Sequence, residues 1–244
     1  MGNLIRAEVY KLKSSKVLYI VAGLLILLSL FISYWFRTYT GQRIMLLVFE
    51  IQLMFPLIIV IGLLGASFIS NEYKSGGFKK YIYYGHNRRR ILLSKSMVFT
   101  VVISLLSLIM PIVTTLINSG MNGFGESDGV SPGALIFRAF ALSLLVYVGI
   151  ASAAFFISML FKNSLATLGI FFGLYNLYVI LQGLAMNNET FRFIYQKTIL
   201  GQIAVASAPQ ITAPQIWQLI IVALVTTGVF MYLSVFSFRR MEIK

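Results

Sequence analysis

Six apolar runs, each long enough to cross a bilayer as a helix, leave this chain few ways to fold. They cover residues 17–36, 45–69, 96–116, 135–160, 165–184 and 216–236. About 20 consecutive apolar residues suffice for a transmembrane helix. The chain is 59% hydrophobic and 11% charged over 244 residues, with a mean hydropathy of +0.87. A soluble domain of that size lacks the polar surface to cover so much apolar side chain. The expected fold is an all-α polytopic membrane protein, one transmembrane domain of six helices.

The charges sit between these runs and orient them. Residues 70–95 hold Glu72 against Lys74, Lys79, Lys80, Arg88, Arg89, Arg90 and Lys95, which places this segment on the cytoplasmic side by the positive-inside bias. Residues 1–16 add Arg6, Lys11, Lys13 and Lys16 against Glu8. Five basic residues of the 20, Arg37, Arg43, Arg138, Arg192 and Lys197, fall in outer segments. Both termini are therefore expected inside. The net charge of +13 forms no separate basic domain, and no nucleic acid is implied.

Between the spans, residues 1–16 place Ile5, Val9 and Leu12 at helical spacing, as in a short interfacial helix on the inner leaflet. The segment is too polar for a cleavable signal peptide, and Arg6 stands where a myristoylation site takes Ser or Thr. Tyr34 and Trp35 suit the outer interface as anchors. Pro111 predicts a kink. Residues 117–134 are Gly-rich with Glu126 and Asp128 and read as an outer loop. Residues 185–214, with Pro209 and Pro214, read as a re-entrant or surface helix pair. In residues 70–95, Phe78, Tyr81, Ile82 and Tyr84 share one side of a short helix and Lys79 and Lys80 the other. Two readings of this stretch stay open on charge alone: an interfacial helix offered to a cytosolic partner, or a basic loop that sets topology and touches anionic lipid.

The residues that would make an enzyme are missing. There is no Cys, and the single His, His86, lies in the basic loop, so thiol chemistry and metal sites are not expected. No H-E-x-x-H pattern, no pair of adjacent intramembrane acids and no P-loop occurs. Glu50 is the one acid within a span, fewer ionisable groups than ion-coupled transporters carry. Glu50 and Arg138, about 8 and 5 Å inside the outer ends of spans two and four at helical rise, are expected to form an ion pair. Alternatively Arg138 snorkels and Glu50 is protonated or faces a wet cavity.

The economical reading is a transport path powered from outside the chain, and here a resemblance enters. Glu72–Gly77 (E-Y-K-S-G-G) and Gly85–Lys95 (G-H-N-R-R-R-I-L-L-S-K) resemble the loop between spans two and three in permease subunits of type-2 ABC (ABC-2) exporters. That loop carries a Glu, a Gly-Thr-like pair, a Ser-Arg pair and a closing Ser-Lys. Here Gly77-Phe78 stands for Gly-Thr and Asn87-Arg88 for Ser-Arg. The opening I-R-A-E-V-Y-K-L-K-S-S-K resembles small bacterial permeases of bacteriocin-immunity and peptide-export systems. The resemblance implies a multi-pass protein of the bacterial cell membrane and a cytoplasmic coupling helix that docks on an ABC ATPase subunit present in two copies. ATP and Mg would be bound by that partner, with no cofactor in this chain. It also implies a second permease chain, identical or homologous. Glu72, Tyr73, Lys79, Lys80, Tyr81 and Tyr83 take the ATPase-coupling role. Spans two and five would line the path, with Met54, Phe55, Phe171, Phe172, Tyr175 and Asn176, suited to an amphipathic cargo such as an antimicrobial or cytolytic peptide, or to a lipid-like one. Gly169-x-x-x-Gly173 and Gly62-x-x-x-Ala66 permit close helix approach, within one chain or between two. The alternatives are a stand-alone channel or scaffold, and a membrane enzyme with an unrecognised site.

Overall fold

Helices account for all the regular structure in the computed structural model, which describes residues 1–54, 56–85, 87–125 and 131–240. Phe55, His86, Glu126, Asp128 and the last four residues lie outside the described residues, as do the side chains of Met54 and Lys74. No strand occurs among the described residues. Six helical stretches there are long and apolar enough to cross a membrane.

The chain opens with α1 (Gly2–Lys13) and turns at Ser14 into α2 (Lys16–Trp35). α3 (Gly41–Met54) and α4 (Pro56–Leu64) lead into a π-helical turn at Gly65–Ser70 and then α5 (Asn71–Lys74). The short α6 (Gly77–Tyr83) precedes α7 (Arg88–Ser107) and α8 (Ile109–Asn122). α9 (Pro132–Leu160) and α10 (Ser164–Asn187) are long. Two short helices, α11 (Glu189–Gln196) and α12 (Gln202–Ala206), come before the final α13 (Ala213–Arg240).

Local chemistry explains the breaks. Pro111 has no N–H for the carbonyl of Ser107, and its ring crowds that carbonyl. The helix accordingly breaks at Leu108, between α7 and α8. α7 starts at Arg88, earlier than the expected third span. The Asn87 side chain accepts from the Arg89 N–H at 2.9 Å and caps the helix, so the three arginines form its first turn rather than a loop.

α13 packs along α9, α7 against α9, α8 against α3 and α2, and α10 against α4 and the π turn. The ends are tied by polar contacts. Asn118 Nδ2 donates to the carbonyls of Phe36 and Tyr39 (2.9 and 3.2 Å), and Gln42 N to Phe124 O (2.8 Å). At the other, basic end Ser70 Oγ bonds Phe161 O (3.0 Å) and Thr167 Oγ1 (2.8 Å), and Ser164 Oγ bonds Asn71 Oδ1 (2.8 Å). Gly62 and Gly149 approach their own chain: a Cβ on Gly62 would meet Phe171 Cβ at 3.4 Å, and one on Gly149 would meet Ile199 Cδ1 at 2.9 Å. Gly62-x-x-x-Ala66 thus packs α4 on α10 within the chain.

The expected Glu50–Arg138 ion pair does not form. Arg138 donates to the carbonyls of Ala208 and Pro209 (2.8 and 2.7 Å), and Glu50 accepts from Ser207 Oγ (3.0 Å). Spans two and four do meet, with Phe49 and Phe140 edge-on at 5.2 Å. The reason lies in the turn just past α12, where the Ala208 and Pro209 carbonyls take the Arg138 guanidinium and the Ser207 hydroxyl donates to the Glu50 carboxylate.

Candidate coupling site at the basic end

α6 is anchored by one aromatic and presents another pair. Gly76 enters it at φ +67°, in the left-handed region that glycine adopts without steric cost. Phe78 is buried between Tyr73 (ring centroids 4.7 Å) and Phe238 of α13 (5.2 Å). Tyr81 and Ile82 are half-buried on the same side. The opposite side is open: Lys79 and Lys80 are exposed, and Tyr83 and Tyr84 are 89% and 75% exposed with their rings 5.9 Å apart. The expected two-faced helix is present, but Tyr84 belongs to the open face.

Beneath α6 lies a ring of alternating charge. Lys95 Nζ meets Glu8 Oε2 at 2.7 Å and Glu72 Oε2 at 2.8 Å; Lys11 Nζ meets Glu72 Oε1 at 2.6 Å and Glu8 Oε1 at 3.5 Å. Lys95 and Glu8 are buried, and Glu72 nearly so. Lys95 also donates to Phe68 O (3.4 Å) and lies 3.9 Å from the Phe68 ring centroid; the π turn sets that residue over it. Tyr81 Oη donates to Glu8 Oε1 (2.8 Å), and Lys11 lies over its ring at 4.6 Å.

Burial favours the neutral form of Glu8, but the charge and hydrogen bond of Lys95, the Tyr81 hydroxyl and the charge of Lys11 outweigh it and hold its pKa below the ordinary 4.5. Burial likewise works against Lys11, whose pKa is nonetheless raised above 10.5 by hydrogen bonds to Glu72 and Tyr81 and by the charges of Glu72 and Glu8.

The six residues assigned to ATPase contact therefore divide. Lys79, Lys80 and Tyr83 face outward; Glu72, Tyr73 and Tyr81 face the bundle. Glu8, Lys11 and Lys95 escaped the sequence reading as a group. One signal existed: Glu8 lies four residues from Leu4 and from Leu12, and all three are buried, so the inward face of α1 is Leu4, Glu8 and Leu12 with Ile5 half-buried beside them, while Val9 is exposed. Lys95 likewise shares a stripe with Ile91 and Val98. A charge on the apolar stripe of a helix calls for a buried partner.

The expected path residues also divide. Phe171 is buried against Gly62, whereas Phe172 is 63% exposed. Asn176 Nδ2 donates to Phe172 O of its own helix at 2.8 Å. Ile58, Ile59, Gly62, Leu63, Leu168, Phe171, Phe172 and Tyr175 line an apolar cleft of about 240 Å³ between α4 and α10. Met54 and Phe55 add nothing here, since neither side chain is described.

A family model for ABC-2 family transporter proteins matches residues 4–182, from the first turn of α1 into α10. The match covers well over half of the chain, and the chain belongs to this family. It is the membrane-spanning permease component of an ABC transporter. No curated protein matches it.

Proposed function

We propose that this chain is the permease of an ATP-driven exporter in a bacterial cell membrane, moving an amphipathic or hydrophobic substrate and energised by a separate ATPase that docks on α6. The observation carrying this reading is the open face of α6. Tyr83 and Tyr84 offer a large, rigid contact area, Lys79 and Lys80 flank it with charge, and interface hot spots favour aromatic and basic groups of this kind. Phe78 holds the helix from behind, so force on that face reaches the bundle. The basic end faces the cytoplasm by charge. ATP and Mg bind the partner, present in two copies, and a second permease chain completes the path. The apolar cleft beside α10 supports an amphipathic or lipid-like cargo, a peptide included.

The test is Tyr83→Ala with Tyr84→Ala in the permease–ATPase complex. Loss of about 2 kcal/mol or more of contact energy, the range of a hot spot, should abolish co-purification of the ATPase or uncouple its hydrolysis from transport, with membrane insertion unchanged. Undiminished binding and coupling would refute the docking role.

A further inference from the structure

The ring beneath α6 joins elements far apart in sequence. Glu8 and Lys11 come from α1, Glu72 from α5 and Lys95 from α7, and Tyr81 of α6 bonds the same Glu8 carboxylate. The Lys95 ammonium donates hydrogen bonds to Glu8 and to the Phe68 carbonyl, and Glu72 pairs with it by charge at 2.8 Å. Such a cluster is a poor way to gain stability. Desolvating ions costs several kcal/mol each, and apolar side chains of similar volume often serve as well. Apolar neighbours are at hand, since Leu12, Phe78, Phe99 and Phe238 belong to the surrounding core. What paired charges add is direction: each contact fixes the register of one element against another.

We propose that Glu8 and Lys95 are positioning residues for coupling. They lock α1, α6 and the first turns of α7 into one rigid unit, so that a displacement received at α6 moves the third span and the N-terminal helix together. This rests on the reading of α6 as the ATPase-docking helix. α1 is then a working part of the transmission rather than a passive anchor on the lipid surface. The charges in the ring cancel, so it needs no counter-ion from outside. Tyr81 belongs to the lock and not to the docking face.

The test uses the full permease–ATPase complex in nanodiscs. Glu8→Gln with Lys95→Gln removes one charge of each sign and leaves Lys11 paired with Glu72. Spin labels at Val9→Cys on α1 and Met97→Cys on α7, both exposed positions, report the unit itself. The wild-type distance should be narrow and the same with and without ATP; in the double variant it should broaden. Maleimide labelling of Met121→Cys, at the far end of α8, reports transmission. Its response to ATP should fall about tenfold in the double variant, as loss of charge-assisted hydrogen bonds implies, while the ATPase still co-purifies. A narrow distance and a full ATP response in that variant would overturn the lock. Should the double variant fail to assemble, Tyr81→Phe decides: it removes the hydroxyl by which α6 holds Glu8 and meets Lys11, and an unchanged ATP response there overturns the proposal equally. The two readings separate cleanly. Silence in Tyr83→Ala/Tyr84→Ala defeats the docking role, whereas silence in Glu8→Gln/Lys95→Gln alone defeats the lock and leaves docking intact.

Discussion

Glu8 and Lys11 set opposite limits on the pH range in which α1 stays seated. Glu8 has a depressed pKa, so its contribution is complete above the ordinary carboxylate value and disappears only as pH falls through its lower folded-state value. Lys11 has a raised pKa, so its contribution is complete below the ordinary lysine value and disappears only as pH rises through its higher one. Docking of α1 should therefore be flat from about pH 5 to about pH 10 and fall on either side. Hydrogen exchange of residues 2–13 across that range checks it, and a slope through neutrality would contradict the assignment. At this scale the sequence was legible in part. Glu72 stood out as the acid of a basic loop, yet charge alone does not reveal which loop residue turns inward. Lys95 looked like the loop's last cation, and only its helical neighbours Ile91 and Val98 hinted otherwise. Arg138 and Glu50 were correctly seen as unusual charges, but their partners are backbone carbonyls and a hydroxyl from residues 207–209, which no spacing argument reaches.

Among the elements, α6 has one fully buried anchor, with Tyr81 and Ile82 half-buried beside it. Phe78 is 1% exposed and makes the aromatic contacts to α5 and α13. Phe78→Ala should cost about 3–5 kcal/mol by loss of burial and the cavity left behind. Because α6 is short and attached at few points, the loss should appear as local release. Exchange within residues 77–83 should rise sharply while α9 keeps its protection. Equal loosening of α9 would mean that α6 belongs to the central core. Elements with strong local signals were readable: the two-faced α6, the break ahead of Pro111, the aromatic end of α2 with Tyr34 and Trp35 exposed. The start of α7 was obscured because three arginines resemble a loop, although Asn87 before them is an N-cap signal. The π turn at Gly65–Ser70 had no local signature. It places Phe68 against Lys95, a long-range requirement that the sequence of the turn does not display.

For the whole molecule, burial separates an inner and an outer set of helices. In the most apolar stretch of each span, more than half the residues of Pro56–Tyr73 and Pro132–Leu160 and half of Arg88–Asn122 are buried, against 17% in α10 and in α13 and 22% in α2. The outer helices therefore carry the surface left for lipid or for another chain. On α10 that surface includes Gly169 and Gly173, where an added Cβ would meet nothing within 4 Å. Small residues at this spacing let helices approach closely, and among the described residues no helix of this chain uses the opportunity. Gly62, by contrast, is occupied by Phe171. A second permease chain should accordingly sit against the Gly169–Gly173 face of α10. Gly173→Cys should give an inter-chain disulfide under mild oxidation in membranes, as Cβ atoms at such a crossing fall within disulfide reach of about 4 Å. Gly62→Cys should give none, because its side chain would point into the protomer. Co-expression of two differently tagged copies tells a pair of identical chains from a pair of homologous ones. Absence of product at Gly173, at Gly169 and at exposed Leu177 of the same helix would assign that face to lipid and move the partner to α2 or α13.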